Sequence, residues 1–213
     1  MLRSFLRIML FLCFVPAGSF IDGCMTSSTP TTRFYVLTPL DAGSPLVNKS
    51  EHRGSLSVEV ASLRLPQYLE RPQIVTRSGE NRLERAEYHQ WGGNLRKNMI
   101  RVLAKNLSEL LVTPNIVISP HRPPAPPDFR VEIEVMQFER DADKRVKLSA
   151  QWRLSRGKDL KTLTTQITEL ESPTVSAGSD YESTVSAMSG LIGELSKIIG
   201  REILKHARER FDT

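Results

Sequence analysis

Two amphipathic helices constrain the fold of this chain more than any other feature of its sequence. In the first, Leu95 to Leu111, apolar residues recur at steps of three and four, and most charged residues lie off that stripe. The second opens with Ser179 and Glu182, which can form a capping box, and carries an apolar stripe from Val185 to Ile203. A helix with one apolar face must cover another layer of structure, so both helices predict a sheet on which they pack.

Alternation of apolar and polar residues predicts the strands of that sheet. The expected strands are 33–37, 56–60, 74–77, 82–86, 116–118, 129–135, 146–154 and 160–170. The third and fourth flank a turn at 78–81 and should form a hairpin. The last three are separated by the turns DADK and RGKD and should form an antiparallel meander. The order of strands, helix, strands and helix predicts a mixed α/β fold built in layers.

Three glycines, Gly190, Gly193 and Gly200, lie within the second helix. Glycine weakens a helix by up to about 1 kcal/mol relative to alanine. Two interpretations stay open at this point. The glycines either permit close packing against a sheet, or the helix simply tolerates them.

The first 23 residues have the pattern of a secretory signal peptide. Two arginines supply a positive start, the apolar run Ile8 to Val15 follows, and Pro16 and Gly18 break it. The run is shorter than the roughly 20 residues that a membrane-spanning helix needs. The alternative is an N-terminal anchor helix that is never cleaved, and Pro16, Gly18 and Asp22 would interrupt it.

Cleavage after residue 23 would leave Cys24 as the only cysteine, because Cys13 is removed with the signal. A lone cysteine in an exported protein calls for an explanation such as modification. The stretch Ile21 to Cys24 resembles the bacterial lipobox, in which the cysteine thiol receives lipid and the chain is cut just before it. The cut would fall between Gly23 and Cys24. Asp22 departs from the pattern, which has a small uncharged residue there.

An ordinary signal cut after Ser19 is the alternative, and it would leave Cys24 as a free thiol. Lipidation, with acyl chains such as palmitate, is favoured because it explains the lone cysteine and because a polar stretch follows. Residues 24–32 predict a flexible tether. Residues 33–213 then form a single domain, which the lipid holds at a membrane surface.

The sequence contains none of the common motifs for catalysis or cofactor binding. It lacks HExxH, CxxC, GxGxxG, GxxxxGK[ST] and GxSxG. Its four histidines have no partner at metal-ligand spacing. We therefore expect no catalytic residue, no metal and no cofactor.

The charge of the chain is moderately positive and dispersed. The formal net charge is +5, and no run of five like charges occurs. Nucleic acid is therefore not an expected partner. The basic residues of the first helix, Arg96, Lys97, Arg101 and Lys105, either meet an acidic partner or phosphate headgroups, or form a solvated face.

Several stretches, taken as a set, resemble the ABC-type transport auxiliary lipoproteins, the PqiC/YmbA family. The sharpest is Leu65 to Arg77, LPQYLERPQIVTR. The other stretches occur along the chain in the same order as in the family. They are Phe34–Leu37, Asn81–Leu83, Ala86–Trp91, Leu95–Leu111, Asp128–Val131, Phe138-Glu139, Leu148–Trp152 and Tyr181–Ile199. Gly92-Gly93 depart from the family pattern. The resemblance covers nearly the whole chain after the tether.

The resemblance implies a fold and a place in the cell. The fold would be a three-layer α/β domain, with a mixed sheet and two main packing helices, similar to anticodon-binding domains. The chain would be a lipoprotein of the outer membrane that faces the periplasm. Met25 supports that location, because an aspartate after the lipidated cysteine would favour retention at the inner membrane.

The resemblance also implies a role. The protein would be a non-catalytic auxiliary component that docks an ABC-type system, with its permease and its MCE-domain protein, to carry lipid between membranes. It would be a homo-oligomer. Tyr68, Arg71, Arg77 and Trp91 are the candidate partner contacts. A periplasmic lipid-binding chaperone and an envelope enzyme are the alternatives. The first requires a deep apolar cavity, and the second requires a cleft with converging polar groups.

Overall fold

The computed structural model describes residues 30–41, 45–46, 56–121, 125–175 and 181–211. Strands and helices follow the predicted order. The bounds are β1 Arg33–Tyr35, β2 Val58–Arg64, β3 Gln73–Gly79, β4 Arg82–Trp91, α1 Leu95–Leu110, β5 Ile116–Ile118, β6 Phe129–Arg140, β7 Val146–Arg156, β8 Thr162–Glu171 and α2 Tyr181–Phe211. A 3-10 turn, Gln67–Leu69, lies between β2 and β3. Ser179, the predicted cap of α2, lies outside the described residues.

The strands form one mixed sheet of eight strands that branches at β6. Along one edge of β6 runs β7, and β8 follows, both antiparallel to their neighbours. Along the other edge lie β2, parallel to residues 129–134, and then β3, which meets β6 at the pair Thr76–Arg140. β5 extends the sheet beyond β2, and β4 and β1 extend it beyond β3. The predicted meander and hairpin are both confirmed.

Two strands run further than the alternation predicts. In β6 a bulge between Val135 and Gln137 shifts the register, so that Phe138 becomes the next buried apolar residue. In β4 the strand continues from Ala86 to Trp91. The hairpin turn between β3 and β4 holds two residues, 80 and 81, where the pattern predicted four.

Both helices cover the same face of the sheet. They pack against each other, α1 also contacts β2 and β5, and α2 also contacts β6, β7 and β8. The β6 residues on that face, Phe129, Val131 and Ile133, are buried. Arg130 and Glu132, which lie between them, form ion pairs on the opposite face. The mixed sheet with two packing helices is confirmed, and these ion pairs make the opposite face of the sheet charged.

Residues on both sides of α1 fix its ends. Asn94 accepts a hydrogen bond from the Lys97 amide at 3.0 Å and caps the first turn. At the other end the Thr113 amide donates to the Ser108 carbonyl at 3.0 Å. Val112 adopts a positive φ of 50° in that terminal loop, and Pro114 follows. The predicted helix, Leu95 to Leu111, is confirmed within one residue at each end.

The segment that follows β1 crosses the two helices and is hydrogen-bonded to both. The Leu37 amide donates to Oδ1 of Asn98 at 2.7 Å, and the Leu40 amide donates to Oδ1 of Asn106 at 2.8 Å. From α2, Oγ of Ser189 accepts from the Thr38 amide at 3.1 Å. Asn106 is fully buried and also donates to Ser196 of α2. The chain next to the predicted tether is therefore held by the packed core. None of the helices in the described part of the chain combines the length and the apolarity needed to cross a membrane.

The glycines of α2 accommodate this same segment. A methyl group at Gly193 would come within 2.5 Å of a terminal methyl of Leu40, and one at Gly200 within 3.0 Å of Leu46. At Gly190 a methyl group would meet nothing within 4 Å. Close packing therefore explains Gly193 and Gly200, against the N-terminal segment rather than the sheet. The helix merely tolerates Gly190.

Alanine substitutions at two of these glycines should have unequal effects. Gly190→Ala is expected to raise the free energy of unfolding by about 0.5–1 kcal/mol, because alanine is the better helix former and the added methyl group is unobstructed. Gly193→Ala gains the same propensity but must displace Leu40, so it should be clearly less stable than Gly190→Ala. Urea unfolding of the two variants measures the difference. Equal stabilisation would show that Leu40 does not pack where the structure places it.

Candidate functional site

The segment Leu65–Arg77 forms the crossing from β2 to β3. Its 3-10 turn is closed by a hydrogen bond from the Leu69 amide to the Pro66 carbonyl at 2.9 Å. The Pro72 carbonyl accepts from the Trp91 amide at 2.7 Å, which ties the segment to the end of β4. Leu69 and Ile74 are buried in the core. The apolar residues of this stretch are therefore structural.

A buried carboxylate, Glu139 of β6, lies at the centre of the site. Its side chain is fully buried, and each oxygen accepts two hydrogen bonds. Oε1 accepts from Nε of Arg77 at 2.8 Å and from the side-chain amide of Gln137 at 3.2 Å. Oε2 accepts from the hydroxyl of Tyr68 at 2.7 Å and from the Phe138 backbone amide at 3.0 Å. The carboxylate therefore joins the crossing segment to β6.

This environment shifts the pKa values of the two side chains that reach Glu139. Burial raises the pKa of Tyr68 well above its usual value, and the hydrogen bond to Glu139 raises it further. The hydrogen bond to Glu139 also raises the pKa of Arg77, against the effect of burial. Tyr68 and Arg77 are therefore the donors of these hydrogen bonds and Glu139 is the acceptor. The triad stabilises the fold.

The four predicted partner contacts lie in different surroundings. Tyr68 and Arg77 meet at Glu139 and are half-buried. Trp91 is only 5% exposed and belongs to the core, which agrees with packing at the entry to α1. Arg71 is half-buried, and its Nε makes no hydrogen bond to the described part of the chain. A partner contact by these residues stays a prediction, with Arg71 and the exposed portion of Tyr68 as its remaining surface.

Glu139 itself was not among the predicted site residues. Simple alternation from Val131, Ile133 and Val135 assigns position 139 to the apolar face, but the bulge after Val135 moves it to the opposite face, where Tyr68 and Arg77 cover it. The sequence did hold a signal for Glu139. The pair Phe138-Glu139 is one of the stretches that resemble the family, and so is Leu65–Arg77, which contains Tyr68 and Arg77. Proximity in space explains why these two separate stretches occur together.

A second cluster, of aromatic rings, joins β1, β4 and α2. The Tyr35 hydroxyl lies 2.7 Å from Nδ1 of His89, and the His89 ring stacks on Tyr181 with centroids 4.1 Å apart. The guanidinium of Arg140 lies 5.4 Å from the Tyr181 ring centroid. Burial, and to a lesser degree the charge of Arg33, lowers the pKa of His89. His89 thus belongs to an internal stack with Tyr35 and Tyr181.

The basic face of α1 is only partly free. Arg96 lies 3.9 Å from a carboxylate oxygen of Glu70, and Lys105 lies 2.9 Å from Glu109. Lys97 and Arg101 have no ion pair among the described residues, and both are exposed. They line a depression of about 220 Å³, next to residues 92–94. These two cations, rather than all four, are available to an anionic partner.

The described residues form a second depression on the charged face of the sheet. It measures about 340 Å³, and its lining includes Arg64, Glu132, Glu134 and Arg153. All four of these side chains form ion pairs with one another, Arg64 with Glu134 and Arg153 with Glu132. Within the described ranges no group of three or more His, Cys, Asp or Glu side chains is arranged to hold a metal ion. Gly23 and Cys24, the predicted cleavage and lipidation site, lie outside these ranges.

Comparison with known proteins identifies the family. The model of the ABC-type transport auxiliary lipoprotein component matches residues 35–200. Because this match spans most of the chain, the chain belongs to the family of ABC-type transport auxiliary lipoproteins, which are lipoproteins of the bacterial envelope. It is thus an auxiliary component associated with an ABC-type transport system. No curated protein sequence matches the chain.

Solved structures support the fold. The crystal structure of an uncharacterised protein is 19% identical, with a TM-score of 0.64, and the match covers 82% of this chain and 99% of that one. Protein XCC0632 from Xanthomonas campestris is 16% identical, also with a TM-score of 0.64, and the match covers 86% of this chain and 97% of that one. At such identities the likeness establishes the fold alone, and the predicted family fold is confirmed.

Removal of a single hydroxyl tests the role of the Glu139 site. Tyr68→Phe should lower the free energy of unfolding by about 1.5–3 kcal/mol, because it removes a hydrogen bond to a buried charge. Tyr88→Phe is the matched control, since the Tyr88 hydroxyl donates to the exposed Glu87 at 2.9 Å. It should change the free energy of unfolding by less than about 0.5 kcal/mol. Urea unfolding of both variants measures these changes in the free energy of unfolding. Equal losses would mean that Tyr68 does not anchor the segment.

Proposed function

We propose that this chain is a non-catalytic lipoprotein, attached to the outer membrane through Cys24 and facing the periplasm. There it docks an ABC/MCE-type assembly that moves lipid between the inner and outer membranes. The permease and the MCE-domain protein of that assembly are its partners. The family establishes the auxiliary transport role, and the lipid cargo, the MCE partner and the membrane are the proposed parts.

The observation that carries the non-catalytic role is the saturation of Glu139. A catalytic carboxylate needs an oxygen that can reach substrate or exchange a proton. Both oxygens of Glu139 are occupied by donors from the protein itself, and the side chain is fully buried. His89 is likewise enclosed by Tyr35 and Tyr181. The most distinctive residues of the chain thus stabilise its fold, which suits a docking domain better than an enzyme.

The connection between tether and core supports docking through an anchor. β1 begins at Arg33, directly after the predicted tether, and the next residues are hydrogen-bonded to α1 and α2. A lipid at Cys24 would therefore keep the packed core itself near the membrane, at a distance limited by the length of the tether. It would not merely hold a loosely attached strand. Several acyl chains at one cysteine anchor firmly, since each buried methylene contributes about 0.8 kcal/mol.

A lipid chaperone fits these features less well. An acyl chain requires an enclosed apolar cavity. Of the two depressions described above, the one at Arg64, Glu132 and Arg153 has a mainly polar lining. The other combines the apolar Val36, Trp91 and Leu95 with the charged Lys97 and Arg101. Lys97 and Arg101 instead offer positive charge to an acidic surface of a partner protein.

Loss of the lipidated thiol tests the proposal. Cys24→Ser should release the chain from membranes, and intact mass of the wild-type protein should show an acylated N-terminus at Cys24. In cells that lack the protein, wild type should restore the envelope barrier and Cys24→Ser at equal abundance should not. Cys13→Ser, within the predicted signal, is the control and should behave as wild type. An unmodified Cys24, a start at Phe20, or full restoration by Cys24→Ser would contradict the proposal.

A further inference from the structure

The outward face of β1, continued by the residue after it, carries two exposed apolar side chains. Phe34 is 67% exposed and Val36 is 56% exposed, whereas Tyr35 and Leu37 are buried. Strand alternation therefore directs Phe34 and Val36 away from the core on one face. The other exposed large hydrophobic residues of the described chain each lie on a different element or turn, and they are Leu83, Met136, Leu160 and Ile167. Exposed apolar residues that stand alone are ordinary on a protein surface, and adjacent ones indicate a contact surface.

Gly92 makes this surface continuous. A methyl group at Gly92 would lie 3.1 Å from Cγ1 of Val36 and 4.0 Å from Cβ of Phe34. Because glycine has no side chain, nothing at this position projects beside the two apolar residues. We refer to Phe34, Val36 and Gly92 as the β1 patch.

The surroundings of the β1 patch are positively charged. Arg33 is exposed and forms no ion pair with the described residues. Lys97 and Arg101 line the same depression as Val36, and no Asp or Glu of the described chain lines it with them. Lysine and arginine near an anionic membrane are attracted to it over about one Debye length, which is about 8 Å at physiological salt. Because this attraction acts at a distance, Lys97 and Arg101 contribute to it while the depression stays open to a partner protein.

The position of the β1 patch in the chain indicates which surface it meets. The predicted tether, residues 24–32, ends immediately before Arg33. A flexible chain of nine residues spans on average about 15–18 Å, and it reaches at most about 30 Å when fully extended. The residues that follow are hydrogen-bonded to α1 and α2, so the patch has a fixed direction relative to the packed core. A lipid at Cys24 would therefore keep this face close to the membrane.

We propose that the β1 patch lies in the headgroup region of the membrane that carries the lipid anchor. Phe34 and Val36 contact the upper parts of the acyl chains, and Arg33 meets the phosphates of anionic phospholipids. Aromatic and basic side chains are typical of protein segments in this region. The contact orients the domain on the membrane, which a flexible tether alone does not. This inference rests on the lipidation of Cys24, which is part of the proposed function.

The depth of a tryptophan at position 34 tests the contact in the full lipidated chain, purified in detergent and reconstituted into vesicles of phosphatidylethanolamine and phosphatidylglycerol. The native Trp91 and Trp152 are buried, so an added tryptophan is the exposed one. In vesicles with brominated acyl chains, which quench tryptophan on contact, Phe34→Trp should lose fluorescence relative to unbrominated vesicles. Ile167→Trp is the matched control, because Ile167 is 60% exposed, and it should keep its fluorescence. Thermal unfolding verifies that both variants are folded.

The contribution of charge is measured in the Phe34→Trp chain. Arg33→Glu should lessen the quenching, and so should vesicles of phosphatidylcholine, which carry no net charge. Lys158→Glu, a reversal of an exposed lysine in the turn between β7 and β8, changes the net charge equally and should leave the quenching unchanged. Equal effects of the two reversals would contradict a specific contact by Arg33.

A photoreactive benzophenone group in place of the Phe34 ring identifies the occupant in cells. Irradiation should attach phospholipid to the chain, and intact mass detects this product together with the acylation of Cys24. With Cys24 acylated, equal quenching at positions 34 and 167, or a protein attached at position 34, would overturn this inference and leave the proposed anchor in place. An unmodified Cys24 would overturn both.

Discussion

The sheet depends on one buried charge. Glu139 has no contact with solvent and would be strongly destabilising without partners, because removal of one partner from a buried ion pair typically costs about 3–5 kcal/mol. Its partners come from both ends of the crossing between β2 and β3, Tyr68 from the turn and Arg77 from β3. The carboxylate thereby holds the point at which the sheet branches. On one side of that point β2 and β5 continue the sheet, and on the other side β3, β4 and β1 do so.

The branch gives the N-terminal segment its position. β1 pairs with β4 at the far end of the branch, and the following residues turn across α1 and α2. Gly193 and Gly200 leave room on α2 for Leu40 and Leu46. A force applied at the N-terminus would act on these contacts and on the buried Asn106, rather than on a single exposed strand. The N-terminal segment is thus fixed to both helices.

Local pattern predicted most of the secondary structure, because alternation and helical periodicity report directly on which face of an element is buried. The start of α1 and the meander of β6, β7 and β8 are examples. Long-range features were not accessible in the same way. The bulge at Val135 reverses the phase of β6, so Glu139, which alternation assigns to the apolar face, lies on the opposite face and is buried there beneath Tyr68 and Arg77. Trp91 was predicted as a partner contact, and burial shows that it packs internally.

The central claim is that the domain acts through where it is held, and an exchange of anchors tests this most directly. Residues 33–213 would be fused to the signal, lipidated cysteine and tether of an unrelated outer-membrane lipoprotein, or to those of an inner-membrane lipoprotein. Both fusions would be expressed at equal level in cells that lack the protein. Barrier function would be measured as resistance to a detergent that an intact outer membrane excludes. The claim predicts that the outer-membrane fusion restores resistance and the inner-membrane fusion does not. Equal restoration by both fusions would contradict it, because a domain that works from either membrane cannot act by docking at one.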